Sequence, residues 1–178
     1  MSRRAATKEA NRAALLTAAR DAFAIHGLAG AGVRDVVRRT DLAAGTFYNY
    51  FDSKEAIFAA VLEEVGGEAR DRVRAARLAA PPERFLEAGF REFFAYVAAD
   101  PATFAFLDRN ADAIVPVALD ELREDLEGRL RVGVDLDYAA HAMLAAGLQI
   151  GRVMLTRDHV AVDEATAFAV TLFRGILR

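Results

Sequence analysis

The sequence predicts an all-α protein: an N-terminal three-helix helix-turn-helix head, residues 1–53, followed by a helical domain, residues 54–178. Three observations lead there. Apolar residues recur at spacings of three and four along almost the whole chain, without sustained strand-like alternation. Near the N-terminus, two short segments of this kind are separated by a three-residue turn, Asp41-Leu42-Ala43. Charge is also unevenly divided. Residues 1–54 hold nine Lys/Arg against five Asp/Glu, leaving 14 basic and 21 acidic residues to the rest, so a head of +4 precedes a body of −7. A basic head is what local contact with phosphates requires, even in a chain of net charge −3.

The first helix is expected from about Thr7 to Gly27, with Leu15, Ala19, Ala22, Phe23 and His26 on its inner face. Gly27, Gly30 and Gly32 then punctuate a loop. Their G-x-x-G-x-G spacing has no strand before it, which argues against a dinucleotide-binding loop. A second short helix runs from Val33 to Arg39 with Val36 and Val37 inward, and a third from Ala44 to Phe51. Asp52 or Ser53 caps a long fourth helix whose apolar positions are Ile57, Val61, Leu62 and Val65.

Pro81-Pro82 breaks the chain. Leu86, Phe90, Phe93, Phe94 and Val97 then form an apolar stripe flanked by Phe85 and Tyr96. Asp100-Pro101 reads as an N-cap with proline at the first helical position, opening a short helix with Phe104, Phe106 and Leu107. Leu119, Leu122, Leu126 and Leu130 mark another helix. The last two helices, about Asp137–Thr156 and Glu164–Leu177, carry more apolar surface than a chain of this length readily covers. A homodimer through these two helices, packed as a four-helix bundle, is therefore expected; the alternative is that they form the monomer's own core.

The third helix carries the most chemistry. Barely two turns long, it presents Gly45, Thr46, Tyr48, Asn49 and Tyr50. Glycine permits close backbone approach, the hydroxyls can donate to phosphates or base edges, and Asn49 can pair with adenine. Phe47 and Phe51, with Leu42, have the spacing to anchor it. Tyr48 and Tyr50 read equally well as half-buried packing residues.

Gly45-Thr46-Phe47-Tyr48-Asn49-Tyr50-Phe51-Asp52-Ser53-Lys54-Glu55 closely resembles the G-T-x-Y-x-Y-F-x-S-K-E signature of TetR/AcrR-type transcriptional regulators. Ala18-Ala19, Phe23, Gly27 and Val33-Arg34-Asp35-Val36 also fall where that family places its first two helices, so the resemblance spans about residues 10–62. It implies a homodimeric DNA-binding regulator, by family default a repressor, whose body answers to a small ligand. Carried over by position, Tyr48 and Lys54 would contact phosphates. Ala44, Gly45, Thr46 and Asn49 would face the major groove of a double-stranded operator, and Tyr50 would lie at its edge. Arg34, at a helix start, is the best further phosphate candidate, whereas Arg38 and Arg39 read as solvated. Three positions depart from the pattern: Asp41 stands where glycine is usual in the turn, Ala43 replaces the serine before the recognition helix, and Gly32 replaces the threonine before the second helix.

The resemblance also implies an effector pocket among the middle helices. Its candidate lining is Phe90, Phe94, Phe104, Leu107, Met143 and Leu148, with Arg109, His141 and Gln149 as polar anchors; the abundance of Phe favours a hydrophobic effector. Aromatic stripes at this spacing are core more often than pocket. Ligand would shift a population in which the fourth helix moves and the spacing of the two recognition helices changes.

Other classes fit less well. His26, His141 and His159 are scattered, without metal-ligand spacing, and cysteine is absent, so neither a metal, a cofactor nor catalysis is expected. Acid pairs such as Glu63-Glu64 and Glu124-Asp125 read as solvated helix faces. A helical protein-interaction module without DNA binding remains the alternative. The polar N-terminus and the lack of cysteine lead to a cytoplasmic location as the expectation. The longest apolar stretch, Tyr138–Gly151, falls short of the roughly 20 residues that span a bilayer.

Overall fold

The computed structural model describes residues 3–159 and 161–177 and divides into two compact units, Met1–Val65 and Gly66–Arg178. The division falls inside a helix, later than the 53/54 boundary expected from the sequence.

In the first unit, α1 (Arg3–Gly30) is broken at Gly27, whose φ of 66° lies in the left-handed region that glycine enters without cost. The regular part of the helix therefore ends where the sequence placed its end. Leu15, Ala19, Ala22 and Phe23 are buried, but His26 is exposed and leaves the inner face. The backbone N–H of Gly32 donates to Asp35 Oδ2 (2.9 Å), closing the start of α2 (Val33–Val37), and Val36 and Val37 are buried. Ser53, not Asp52, caps α3 (Lys54–Ala79), its Oγ accepting from the backbone of Ala56 at 3.1 Å. Ile57, Val61, Leu62 and Val65 complete the small core, and Phe58 meets Phe23 edge-on at 5.0 Å.

In the second unit α4 (Phe85–Ala99) is central and packs against α5 (Pro101–Arg109), α7 (Leu136–Leu155) and α8 (Val162–Phe173). Its burial on several sides follows from Phe85, Leu86, Phe90, Phe94 and Val97, which point around more than one face. Phe90 stacks on Phe94 and on Phe173 of α8 (Val162–Phe173) at about 6 Å. Asp100 caps α5 (Pro101–Arg109), accepting from the Thr103 backbone at 3.0 Å and from its hydroxyl at 2.6 Å. Asp135 caps α7 (Leu136–Leu155) in the same way.

Two boundaries differ from expectation. α6 spans Ala111–Leu126 with Pro116 inside it, so the helix begins before the leucines that announced it and ends before Leu130. Leu130 instead forms an isolated antiparallel bridge with Leu177, with Arg131 N–H donating to Ile176 O at 2.9 Å. α8 correspondingly stops at Phe173, because the residues after it turn to make this pairing. No helix of the described residues is long and apolar enough to cross a membrane.

Candidate DNA-contacting surface and ligand cavity

The third predicted helix is a 3₁₀ helix, Ala44–Asn49, rather than an α-helix. Ala43 has no side-chain oxygen to cap it, and i→i−3 bonds close its two ends, from Thr46 N–H to Ala43 O at 2.8 Å and from Tyr50 N–H to Phe47 O at 2.9 Å. Two aromatic anchors hold it instead. Phe47 is fully buried, Phe51 nearly so, and their rings are 6.0 Å apart. The anchors leave the opposite side outward: Ala44, Gly45 and Asn49 are exposed, Thr46 is half-buried, and Tyr48 is 61% exposed with its ring edge-on to Phe47. Arg34 and Arg38 are exposed on the neighbouring elements, whereas Arg39 turns back to the Asp35 carbonyl at 2.8 Å.

Tyr50 and Lys54 are placed differently from the other predicted contacts. Tyr50 is half-buried and its hydroxyl accepts from Asn11 Nδ2 at 3.2 Å, tying the end of this segment to α1. Lys54 Nζ donates to the carbonyls of Leu28 (2.9 Å) and Ala31 (3.4 Å). Those oxygens follow the break at Gly27, where regular helix bonding is interrupted, and a cation satisfies them well.

The second unit contains a cavity of about 120 Å³ among α3, α4, α5, α6 and α7. Of the predicted ligand residues, Phe104, Leu107 and Leu148 line it. Phe90 and Met143 line a second cavity of about 80 Å³. The other four line neither. Phe94 is fully buried in the core because it is sandwiched by Phe90 and Phe93. Arg109 ends α5 on its exposed side. His141 is exposed, its Nδ1 2.8 Å from the Asp137 carbonyl one turn back. Gln149 is exposed on an open groove of about 520 Å³ bounded by residues of α7 and α8, and accepts from Arg152 Nη1 at 3.1 Å.

Sequence reasoning missed much of the first cavity's wall, including Val73, Phe93, Ile114 and Val115. It also missed its charged rim. Arg70 meets Glu121 at 3.4 Å; Arg77 meets Asp125 at 2.6 Å; Asp108 accepts three hydrogen bonds from Arg152 at 2.7–3.0 Å, which raise that guanidinium's pKa above its ordinary value. Asp125 corrects the reading of Glu124-Asp125 as a solvated pair: its side chain is 2% exposed and Arg74 and Arg77 both hold it. Glu124 beside it is exposed and takes only Arg74. Periodicity did mark the α6 leucines as inward, and Asp125 adjoins Leu126, a signal that could have flagged it.

No curated protein sequence matches the chain. Residues 15–61 match the family model described as bacterial regulatory proteins, tetR family. Among solved structures, the chain resembles SmeT, the repressor of the Stenotrophomonas maltophilia multidrug efflux pump SmeDEF, at 21% identity over 94% of this chain and 90% of that one, with a TM-score of 0.76. It resembles the transcriptional regulator FadR from Bacillus subtilis in complex with stearoyl-CoA at 20% identity, over 92% and 98% of the two chains, with a TM-score of 0.76. A TetR-like transcriptional regulator from Rhodococcus sp. RHA1 aligns at 21% identity over 91% and 93%, TM-score 0.73. Residues 15–61, which include the outward-facing segment Ala44–Asn49, match the tetR family of bacterial regulatory proteins, and the chain as a whole shares the fold of solved TetR-type regulators.

Proposed function

We propose that the chain is a sequence-specific transcriptional repressor that binds a double-stranded operator as a homodimer and releases it on binding a small hydrophobic ligand. The observation that carries this is the outward display of Ala44, Gly45, Tyr48 and Asn49 on a segment whose own anchors, Phe47 and Phe51, are buried. Arg34 and Tyr48 supply phosphate contacts, while Ala44, Gly45, Thr46 and Asn49 meet base edges. Tyr50 and Lys54 support the segment from behind.

Dimerisation through α7 and α8 is favoured by Val153, Phe168 and Leu172, large apolar side chains about half exposed along these two helices. SmeT is a repressor and FadR was crystallised with stearoyl-CoA; both accord with a ligand-released repressor. α3 is one helix from Lys54 to Ala79, and Gly66, Val73 and Arg77 on it line the larger cavity. Ligand would favour a state with α3 displaced, changing the spacing of the two recognition segments so that they no longer match successive major grooves.

The test is an electrophoretic shift with DNA from upstream of the gene, repeated across a salt series. Palindrome-specific, salt-sensitive binding that Asn49→Ala weakens is expected. Equal binding to any duplex, or none, overturns the reading.

A further inference from the structure

The two cavities of the body share a wall. Val73, Arg77, Phe93, Leu122 and Leu144 line both. Among the five, Arg77 is pinned by Asp125 at 2.6 Å, and the three aliphatic side chains are short. Phe93 is the large group, and it is only half-buried. Its ring meets Phe94 and Phe104 edge-on at 5.5 and 6.1 Å. Its Cε1 lies against α7 at Gly147 and Gly151, 3.8 and 3.5 Å from where a Cβ would stand. It therefore rests on helix surface that carries no side chain.

Size and charge then constrain the occupant. An apolar cavity of about 150 Å³ holds a single benzene ring. Chambers of 120 and 80 Å³ each hold less, so a ligand that buries more than one ring's worth of apolar surface here has to enter both. Every charged side chain lining them already has an opposite charge: Arg70 with Glu121, Arg77 with Asp125, Asp108 with Arg152. A charged ligand would have to break one of these pairs, and a neutral one breaks none. Two small chambers joined past an aromatic edge admit a narrow flexible chain more readily than a rigid fused ring.

We propose that Phe93 is the partition between two chambers of one binding site, and that the ligand is a neutral, unbranched aliphatic chain. Its polar end stays at the rim near Arg70 and Glu121, and its tail displaces the Phe93 ring to run between Phe90 and Met143. The proposal rests on the reading of the cavity as the effector site, but direct binding tests it without DNA.

Calorimetric titration of the full chain with hexanol, octanol, decanol and dodecanol, with 1-naphthol as the rigid comparison, reads the outcome. Affinity is expected to rise roughly three- to fourfold per methylene beyond hexanol, as burial of successive CH₂ groups requires. Phe93→Trp should flatten the rise of affinity with length, and Phe93→Leu should retain it. If the wild-type affinity levels off at hexanol, or 1-naphthol binds more tightly than decanol, the partition proposal is wrong. Loss of the length dependence in Phe93→Leu as well would also overturn it. Because operator binding is measured separately, a failed repressor reading and a failed chain reading give different results.

Discussion

Arg77 and Asp125, 48 residues apart in sequence, form a two-point contact in which Nη2 and Nε donate to the same carboxylate oxygen at 2.6 and 3.2 Å. The carboxylate is almost wholly withdrawn from water, so its charge is tolerated only because Arg77 and Arg74 flank it. Asp125→Ala should cost about 3–5 kcal/mol, because two guanidinium groups lose a buried counter-charge. Urea unfolding of Asp125→Ala and of the double variant Asp125→Leu/Arg77→Met checks this. The double variant should recover much of the loss; equal loss in both would show that packing, not charge, dominates.

Two glycines should respond oppositely to the same substitution. A Cβ on Gly89 would stand 2.6 Å from Arg77 Cγ and 2.8 Å from its Cδ, and Arg77 is tethered at its far end. Gly89→Ala should therefore destabilise by about 1–3 kcal/mol through overpacking. At Gly67, inside α3, the nearest atom to a new Cβ is 3.8 Å away. Gly67→Ala should stabilise by up to about 1 kcal/mol through helix propensity. Thermal melts of both variants decide the signs.

Lys54 offers a way to separate support from recognition. Lys54→Met keeps the stem but removes the donor to Leu28 and Ala31. A loss of about 1.5–3 kcal/mol is expected, the range for hydrogen bonds from a charged group. The salt dependence of operator affinity should stay unchanged. A slope smaller by about one unit would instead put Nζ on a phosphate.

Within the recognition segment, alternate residues should report different quantities. Phe47→Ala should cost about 3–5 kcal/mol of stability, since the ring is fully buried. Asn49→Ala should leave the melting temperature alone and lower operator affinity by about 1–3 kcal/mol, mainly at one base position. Melting curves paired with binding titrations on base-substituted duplexes test both.

The outer groove carries the dimer prediction. Phe168 and Leu172 are exposed one turn apart on α8. Phe168→Glu/Leu172→Glu should give a monomer by sedimentation and abolish cooperative binding to a palindrome. A dimer that survives both charges would move the interface elsewhere.

Local signals were legible in the sequence. Asp100-Pro101 announced a cap because capping involves only neighbouring residues, and the Asp100 carboxylate accepts from the backbone and hydroxyl of Thr103 three residues on. The buried positions Val36, Val37, Ile57 and Val61 followed from period alone. What failed was non-local or masked. Pro116 hid the first turns of α6 and with them Ile114 and Val115 of the cavity wall. Asp125 looked like its solvated neighbour because its partners lie on another helix. Arg109, His141 and Gln149 were drawn to the site by polarity, but all three are exposed and line neither cavity. The 3₁₀ form of Ala44–Asn49 was not legible, because apolar spacing over six residues does not distinguish i→i−3 from i→i−4 bonding.

That short segment divides its labour cleanly: Phe47 and Phe51 face in, while Ala44, Gly45 and Asn49 face out and contribute almost nothing to the head's interior. On the proposed reading, changes at the outward positions alter which operator is chosen without taxing the architecture. Such a regulator can be reassigned to new genes by single codon changes, in nature or at the bench, while its scaffold stays as it is.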